Sequence, residues 1–215
     1  MLLDIMSSDP IDTPTKILHA TLTLLEKPHA KLPTMSDIAR ATGISRQAVY
    51  LHFPSRTDLL VAATRYQDEQ NAVNAALAPS REARSGAERL DAFVTAWGNY
   101  IPKIYGVARA IMAVTDTDAE AAAAWNTRMQ DMRGGCAAAV QALAEDGTLP
   151  QGTDMEQATD LLWTLLSVRN WENLTQICGW SQDCYIATIR GMAMATLARD
   201  LGALTDVLAC PDTPT

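Results

Sequence analysis

The sequence predicts an all-α protein, and three observations carry that reading. Helix-start signals recur along almost the whole chain, alternating β-branched runs bounded by tight turns do not occur, and the stretches between signals are apolar and alanine-rich. A helix start needs a side-chain acceptor for its unpaired N–H groups, and a carboxylate in the first turn meets the positive end of the helix dipole. Ser or Thr followed three residues later by an acid meets both needs. The pattern stands at Thr34/Asp37, Ser55/Asp58, Ser85/Glu88, Thr117/Glu120 and Thr153/Glu156. Thr13 before Pro14 offers a further N-cap with proline at the first helical position, where its missing N–H costs nothing. Ser181 after Gly179 marks one more boundary.

The elements follow in order from these signals. Helices are expected over 14–27, 35–42, 46–52 and 56–77, then a polar link after Pro79. A helix over 86–100 should end at Pro102, because proline removes one helical hydrogen bond and its ring crowds the preceding turn. Helices over 103–114 and 118–145 come next. The second contains Gly134-Gly135, each about 1 kcal/mol less favourable than alanine, which marks a kink or a helix boundary. The last two helices cover 154–177 and 182–201. Residues 11–60 form one expected domain and 61–209 another, with 1–10 and 210–215 as flexible termini.

Composition narrows the function. Of 215 residues 48% are hydrophobic and 20% charged, the balance of a folded globular chain. Cys136, Cys178, Cys184 and Cys210 form no C-x-x-C pair and lie far in sequence from His19, His29 and His52, so neither a zinc ribbon nor any other metal or cofactor site is expected. Met1 to Pro10 holds Asp4 and Asp9 but no base, unlike a secretory signal. No apolar run is long enough to span a bilayer. A cytoplasmic protein without a membrane partner is expected. The net charge is -8, yet it is unevenly spread: residues 11–66 hold seven bases against four acids, and residues 67–215 ten against nineteen. A polyanion would attract one end of this chain and repel the other.

Within the basic end, TMSDIARATGISRQAVYLHFPSR (residues 34–56) has the spacing of a helix-turn-helix. Ala39 is small where two helices cross, Gly43 suits a left-handed turn, Ile44 plugs the core, Ser45 caps the next helix and Val49 faces inward. Arg46, Gln47, Ala48, Tyr50 and Leu51 are left on or near the outer side. In such a motif the second helix enters the DNA major groove.

Thr34 to Leu60, and above all GISRQAVYLHFPSRTDLL, resembles the DNA-binding domain of the TetR/AcrR family of bacterial transcriptional regulators. The resemblance implies an N-terminal three-helix helix-turn-helix domain and a C-terminal helical ligand-binding and dimerisation domain. Two positions depart from the family pattern: Arg56 stands where lysine is commonest, and Leu51 where an aromatic is frequent. By chemistry, Gln47 can pair with adenine and Arg46 with guanine or a phosphate, while Ala48 can touch a thymine methyl. Thr34 can donate to a phosphate from a helix N-terminus. Ser45, at the start of the recognition helix, and Leu51 complete the expected DNA-facing set. Tyr50 and His52 resemble the family's phosphate contacts, the alternative being a seam with the first helix. Arg56 is the expected phosphate clamp.

Residues 61–209 show no P-loop, nucleophile elbow or H-E-x-x-H, and no enzyme is expected. Trp97, Tyr100, Tyr105, Met112, Trp125, Met129, Met132, Trp163 and Trp171 could line a cavity for a largely apolar small-molecule effector, or fill the core. Leu161, Leu165 and Val168, with Ile186, Ile189, Ala193 and Leu197 at three- and four-residue steps, could pair with a second copy or pack within the chain. The family resemblance implies the former: a homodimeric repressor on a palindromic operator, released by the effector. The alternatives are a DNA-binding regulator or activator governed by a protein partner, without a pocket, and an α-helical enzyme whose head is only structural.

Overall fold

The computed structural model describes residues 12–27 and 32–198, and among them the regular structure is entirely helical. The expected termini, 1–10 and 210–215, lie outside the described residues. Three helices form the head: α1 (Thr13–Leu25), α2 (Met35–Thr42) and α3 (Arg46–His52). α4 (Arg56–Gln70) leads away from them, followed by the short α5 (Val73–Ala76) and α6 (Ala78–Arg81). The body is built on α7 (Gly86–Met112) and α8 (Ala119–Glu145), each about 40 Å long at 1.5 Å per residue. α9 (Met155–Leu165), α10 (Val168–Trp171), a π-helical stretch Glu172–Ile177 and α11 (Gln182–Leu197) complete it.

The caps form much as the sequence predicts, with one systematic shift. Thr34 and Asp37 make a reciprocal capping box, and Ser45, Ser55, Ser85 and Ser181 each accept from the N–H three residues on. At three starts an aspartate takes the place of the expected threonine next to it: Asp12 for Thr13, Asp118 for Thr117 and Asp154 for Thr153. A charged acceptor makes the stronger bond to an N–H.

Three expected boundaries are corrected. The helix over 86–112 runs unbroken through Pro102. The carbonyl of Gly98, which loses its helical donor to the proline, accepts instead from Gln182 Nε2 at 2.8 Å. Gln182 Oε1 in turn accepts from Trp171 Nε1 at 2.8 Å, so α11 supplies what the ring removes. The fourth helix stops at Gln70 rather than continuing to 77, because Ala72 adopts a left-handed conformation with φ 51°. The helix expected over 154–177 breaks after Leu165: Ser167 recaps the chain by accepting from Asn170 N–H, and the Leu166 carbonyl accepts from Trp97 Nε1 at 2.9 Å.

Three apolar clusters run continuously from head to body. Ile17, Met35, Ile38, Ala39, Val49 and Leu59 fill the head. Leu22, Leu25, Leu60 and Ala63 meet Val107, Ile111, Ala121 and Ala124, joining α1 and α4 to the ends of α7 and α8. The largest cluster binds α7, α8, α9 and α11. α4 therefore contributes to two clusters, with Leu59 in the first and Leu60 in the second.

Candidate nucleic-acid interface

α2 ends at Gly43, whose φ of 72° turns the chain sharply. Ile44 N–H donates to the Ala39 carbonyl at 3.1 Å, and Ser45 Oγ accepts from Ala48 N–H at 3.1 Å, so a three-residue turn fixes α3 against α2. Of the seven residues of α3, Val49 alone is buried. Ala48 is half-buried and the other five are exposed.

Most of the expected DNA-facing residues are exposed to solvent. Thr34, Ser45, Arg46, Gln47, Tyr50, Leu51 and His52 are exposed, and Ala48 is half-buried. Leu51 is 80% exposed and Tyr50 38%, so Tyr50 faces solvent rather than closing a seam with α1. The Arg46 guanidinium lies 5.4 Å from the Tyr50 ring centroid and donates to its hydroxyl at 3.3 Å, which ties two of the polar side chains together. Asp37 is held below the usual carboxylate value by its bonds from the Thr34 hydroxyl and backbone, with Arg40 adding to them.

Arg56 is placed differently from the others. Its guanidinium is held in an ion pair with Asp118, and its Nε lies 3.1 Å from Glu120 Oε2, with only 14% of the side chain exposed. That Nε is buried without an aligned hydrogen-bond partner. Burial pushes the Asp118 carboxyl up, but the hydrogen bonds from Arg56 and from the Ala121 N–H outweigh it and leave it below its ordinary value. Thr57 Oγ1 also donates to the Glu120 carbonyl at 3.1 Å.

The body holds two adjoining recesses that share Asp68, Trp97 and Arg128 in their walls. One, about 30 Å³, is completed chiefly by Ile104, Val107, Ile111, Trp125 and Met129. The other, about 160 Å³, is completed by Val73, Leu77, Phe93, Tyr100, Met132 and Gly135 among others. The first holds about one water and the second about one benzene. Asp68 pairs with Arg128 and accepts from the Tyr100 hydroxyl. Burial raises the Asp68 carboxyl despite both partners, and raises the Tyr100 hydroxyl further.

Of the expected pocket residues, Trp97, Tyr100, Trp125, Met129 and Met132 line these recesses. Tyr105, Met112, Trp163 and Trp171 do not; they pack against the main core. Tyr105 lies against Trp171 with ring centroids 4.8 Å apart and donates to Glu172 at 2.7 Å. The residues considered for self-association divide into two groups. Ile186, Ile189, Ala193 and Leu197 are buried in the chain's own core, since the apolar stripe of α11 packs on α7, and Val168 at the start of α10 is buried in the same cluster. Leu161 is exposed and Leu165 half-buried, and Met192 joins them on the outside. The sequence reading missed Asp68, Arg128, Asp118 and Glu120 as site residues: each partnership spans about sixty positions and leaves no local pattern.

A short exposed helix fixed by a three-residue turn behind a preceding helix is the geometry of a helix-turn-helix, here carried on a helical body. Residues 17–63 match the family model "Bacterial regulatory proteins, tetR family". A protein from Rhodococcus sp. described as a TetR-family transcriptional regulator is 17% identical, with a TM-score of 0.67 over 85% of this chain and 97% of its own. A protein from Saccharomonospora viridis described as a transcriptional regulator, in complex with choline, is 18% identical with a TM-score of 0.66, over 86% and 97%. The transcriptional regulator FadR from Bacillus subtilis, in complex with stearoyl-CoA, is 14% identical with a TM-score of 0.64, over 85% and 98%. At these identities the likeness is one of fold. No curated protein matches the chain in sequence. Residues 17–63 thus match the tetR-family model, and the chain as a whole shares its fold with transcriptional regulators described as members of that family. No helix among the described residues is long and apolar enough to cross a membrane.

Proposed function

We propose that this protein is a homodimeric repressor that binds a palindromic operator through α3 and is released by a small-molecule effector held in the body. The observation that carries the reading is the exposure of every α3 side chain except Val49 and the half-buried Ala48. Gln47 and Arg46 read base edges from the first turn of α3, Ala48 meets a thymine methyl, and Ser45, Leu51, Tyr50, His52 and Thr34 contact the groove walls and phosphates. One seven-residue helix spans few base pairs, so a two-fold pair of heads on successive major grooves supplies the footprint. The outward side of α9 and α11, with Leu161, Leu165 and Met192, is the surface proposed for pairing.

The recesses around Trp97 support an effector site, as do the choline and stearoyl-CoA complexes of two proteins sharing the fold. Their walls are mainly apolar, with polarity concentrated at Asp68, Arg128, Tyr100 and Asp131. An effector held there shifts DNA affinity only through a difference in its affinity for the DNA-bound and released conformations. The test is enrichment of a duplex from a random-sequence pool, then binding with and without a panel of apolar and amphipathic compounds. A palindromic consensus, a dimer on the DNA and weakening by at least one compound class are expected. Enrichment without any response across the panel would favour control by a protein partner.

A further inference from the structure

The strongest unassigned feature is the site that holds Arg56. The N-terminus of α4 follows α3 by four residues, at most about 14 Å of chain, so a guanidinium there can reach the phosphates beside a groove occupied by α3. In this conformation it does not face them. Asp118 and Glu120, from the start of α8, surround it with two carboxylates, and the side chain is largely withdrawn from solvent. The fit is incomplete, because the buried Nε remains without an aligned partner.

We propose that Asp118 and Glu120 form an internal anion site that competes with a DNA phosphate for Arg56, an autoinhibitory contact between the body and the head. The proposal rests on the reading that α3 docks in the major groove. Two carboxylates present oxygens to a guanidinium much as one phosphate does, and a single Arg56 cannot satisfy both. Engaging DNA fully therefore requires release from α8. The same two helices carry the Asp68–Arg128 pair one recess further into the body, and Arg65 of α4 lies 3.2 Å from Asp131 of α8. The seam that the internal site closes at one end is thus bordered by the recess walls at the other.

The test is binding of the full-length protein to a duplex enriched by the wild type, followed by fluorescence anisotropy over a range of salt concentrations. Asp118→Asn with Glu120→Gln removes both charges, and asparagine retains the capping of α8. The double variant should bind on the order of tenfold tighter, the worth of one charge-assisted phosphate contact that the internal pair otherwise withholds. Its salt dependence should steepen by about one phosphate contact. Combined with Arg56→Gln the gain should vanish. A gain that persists with Arg56→Gln would be a general charge effect and would overturn the proposal. Unchanged or weaker binding would also overturn it, by showing that the acids only brace or orient the arginine. If the double variant does not fold, Glu120→Gln alone, at a half-exposed side chain, should give a smaller gain in the same direction, and no gain from it would overturn the proposal. Wild-type protein that binds no duplex would refute the docking of α3 itself, whereas wild-type binding without a gain refutes only the competition.

Discussion

Removing the Gln182 side chain should destabilise the protein, and by an amount that depends on Pro102. Gln182 Nε2 donates to the buried Gly98 carbonyl and its Oε1 accepts from the buried Trp171 indole, both at 2.8 Å. Gln182→Ala orphans one acceptor and one donor in a partly buried site, at about 1–2 kcal/mol each, so a total loss of about 2–4 kcal/mol is expected. The melting temperature should fall by about 2–4 °C per kcal/mol for a chain of this size. Pro102→Ala returns a backbone N–H to the Gly98 carbonyl. In that background Gln182→Ala orphans only the indole and should cost about 1–2 kcal/mol less. Urea unfolding of the wild type, both single variants and the double variant measures this coupling directly. Additivity within about 0.5 kcal/mol would refute the claim that Gln182 stands in for the missing helical donor.

Other expectations follow from single sites. A Cβ at Gly86 would lie 2.6 Å from the Leu143 Cα and N, backbone that cannot rotate aside, so Gly86→Ala should cost about 1–3 kcal/mol in urea unfolding. Its N–H also donates to Asp146, a bond that the displacement would weaken. Ala72→Gly should stabilise by about 0.5–1 kcal/mol, relief of left-handed strain exceeding the added freedom of the unfolded chain. Glu172 is held below its ordinary value by the Tyr105 hydroxyl and by Arg169, against the opposing effect of burial. A depressed carboxylate contributes stability above its unfolded value, near 4.5, and loses it as pH falls through its lower folded value. Tyr105→Phe removes the largest cause, so its acid limb in a pH series of unfolding midpoints should be shallower than that of the wild type.

Local chemistry made the head legible in the sequence. The capping box at Thr34, the left-handed Gly43, the Ser45 cap and the inward Val49 act over four residues or fewer, and each forms as read. What failed to show depends on distant partners. Pro102 reads as a helix end because the acceptor it orphans is satisfied by Gln182, eighty positions away. The stripe Ile186, Ile189, Ala193 and Leu197 is correctly amphipathic, but periodicity does not say which neighbour it meets, and here it meets α7. The tryptophans are similar: residue type marks apolar surroundings without separating a cavity wall such as Trp97 from packed core such as Trp171. Arg56 was legible as a helix-start cation, and its acidic partners were not, since they come from the far end of a hairpin of long helices.

The docking of α3 is tested most directly by the salt dependence of duplex binding for the wild type and for Gln47→Ala and Tyr50→Ala. The account predicts steep weakening with salt for all three. Gln47→Ala should lose about 1–3 kcal/mol on the enriched sequence and little on unrelated duplex, and Tyr50→Ala should lose affinity on both. Wild-type protein that ignores duplex DNA at low salt, or variants indistinguishable from it on the enriched sequence, would contradict the account.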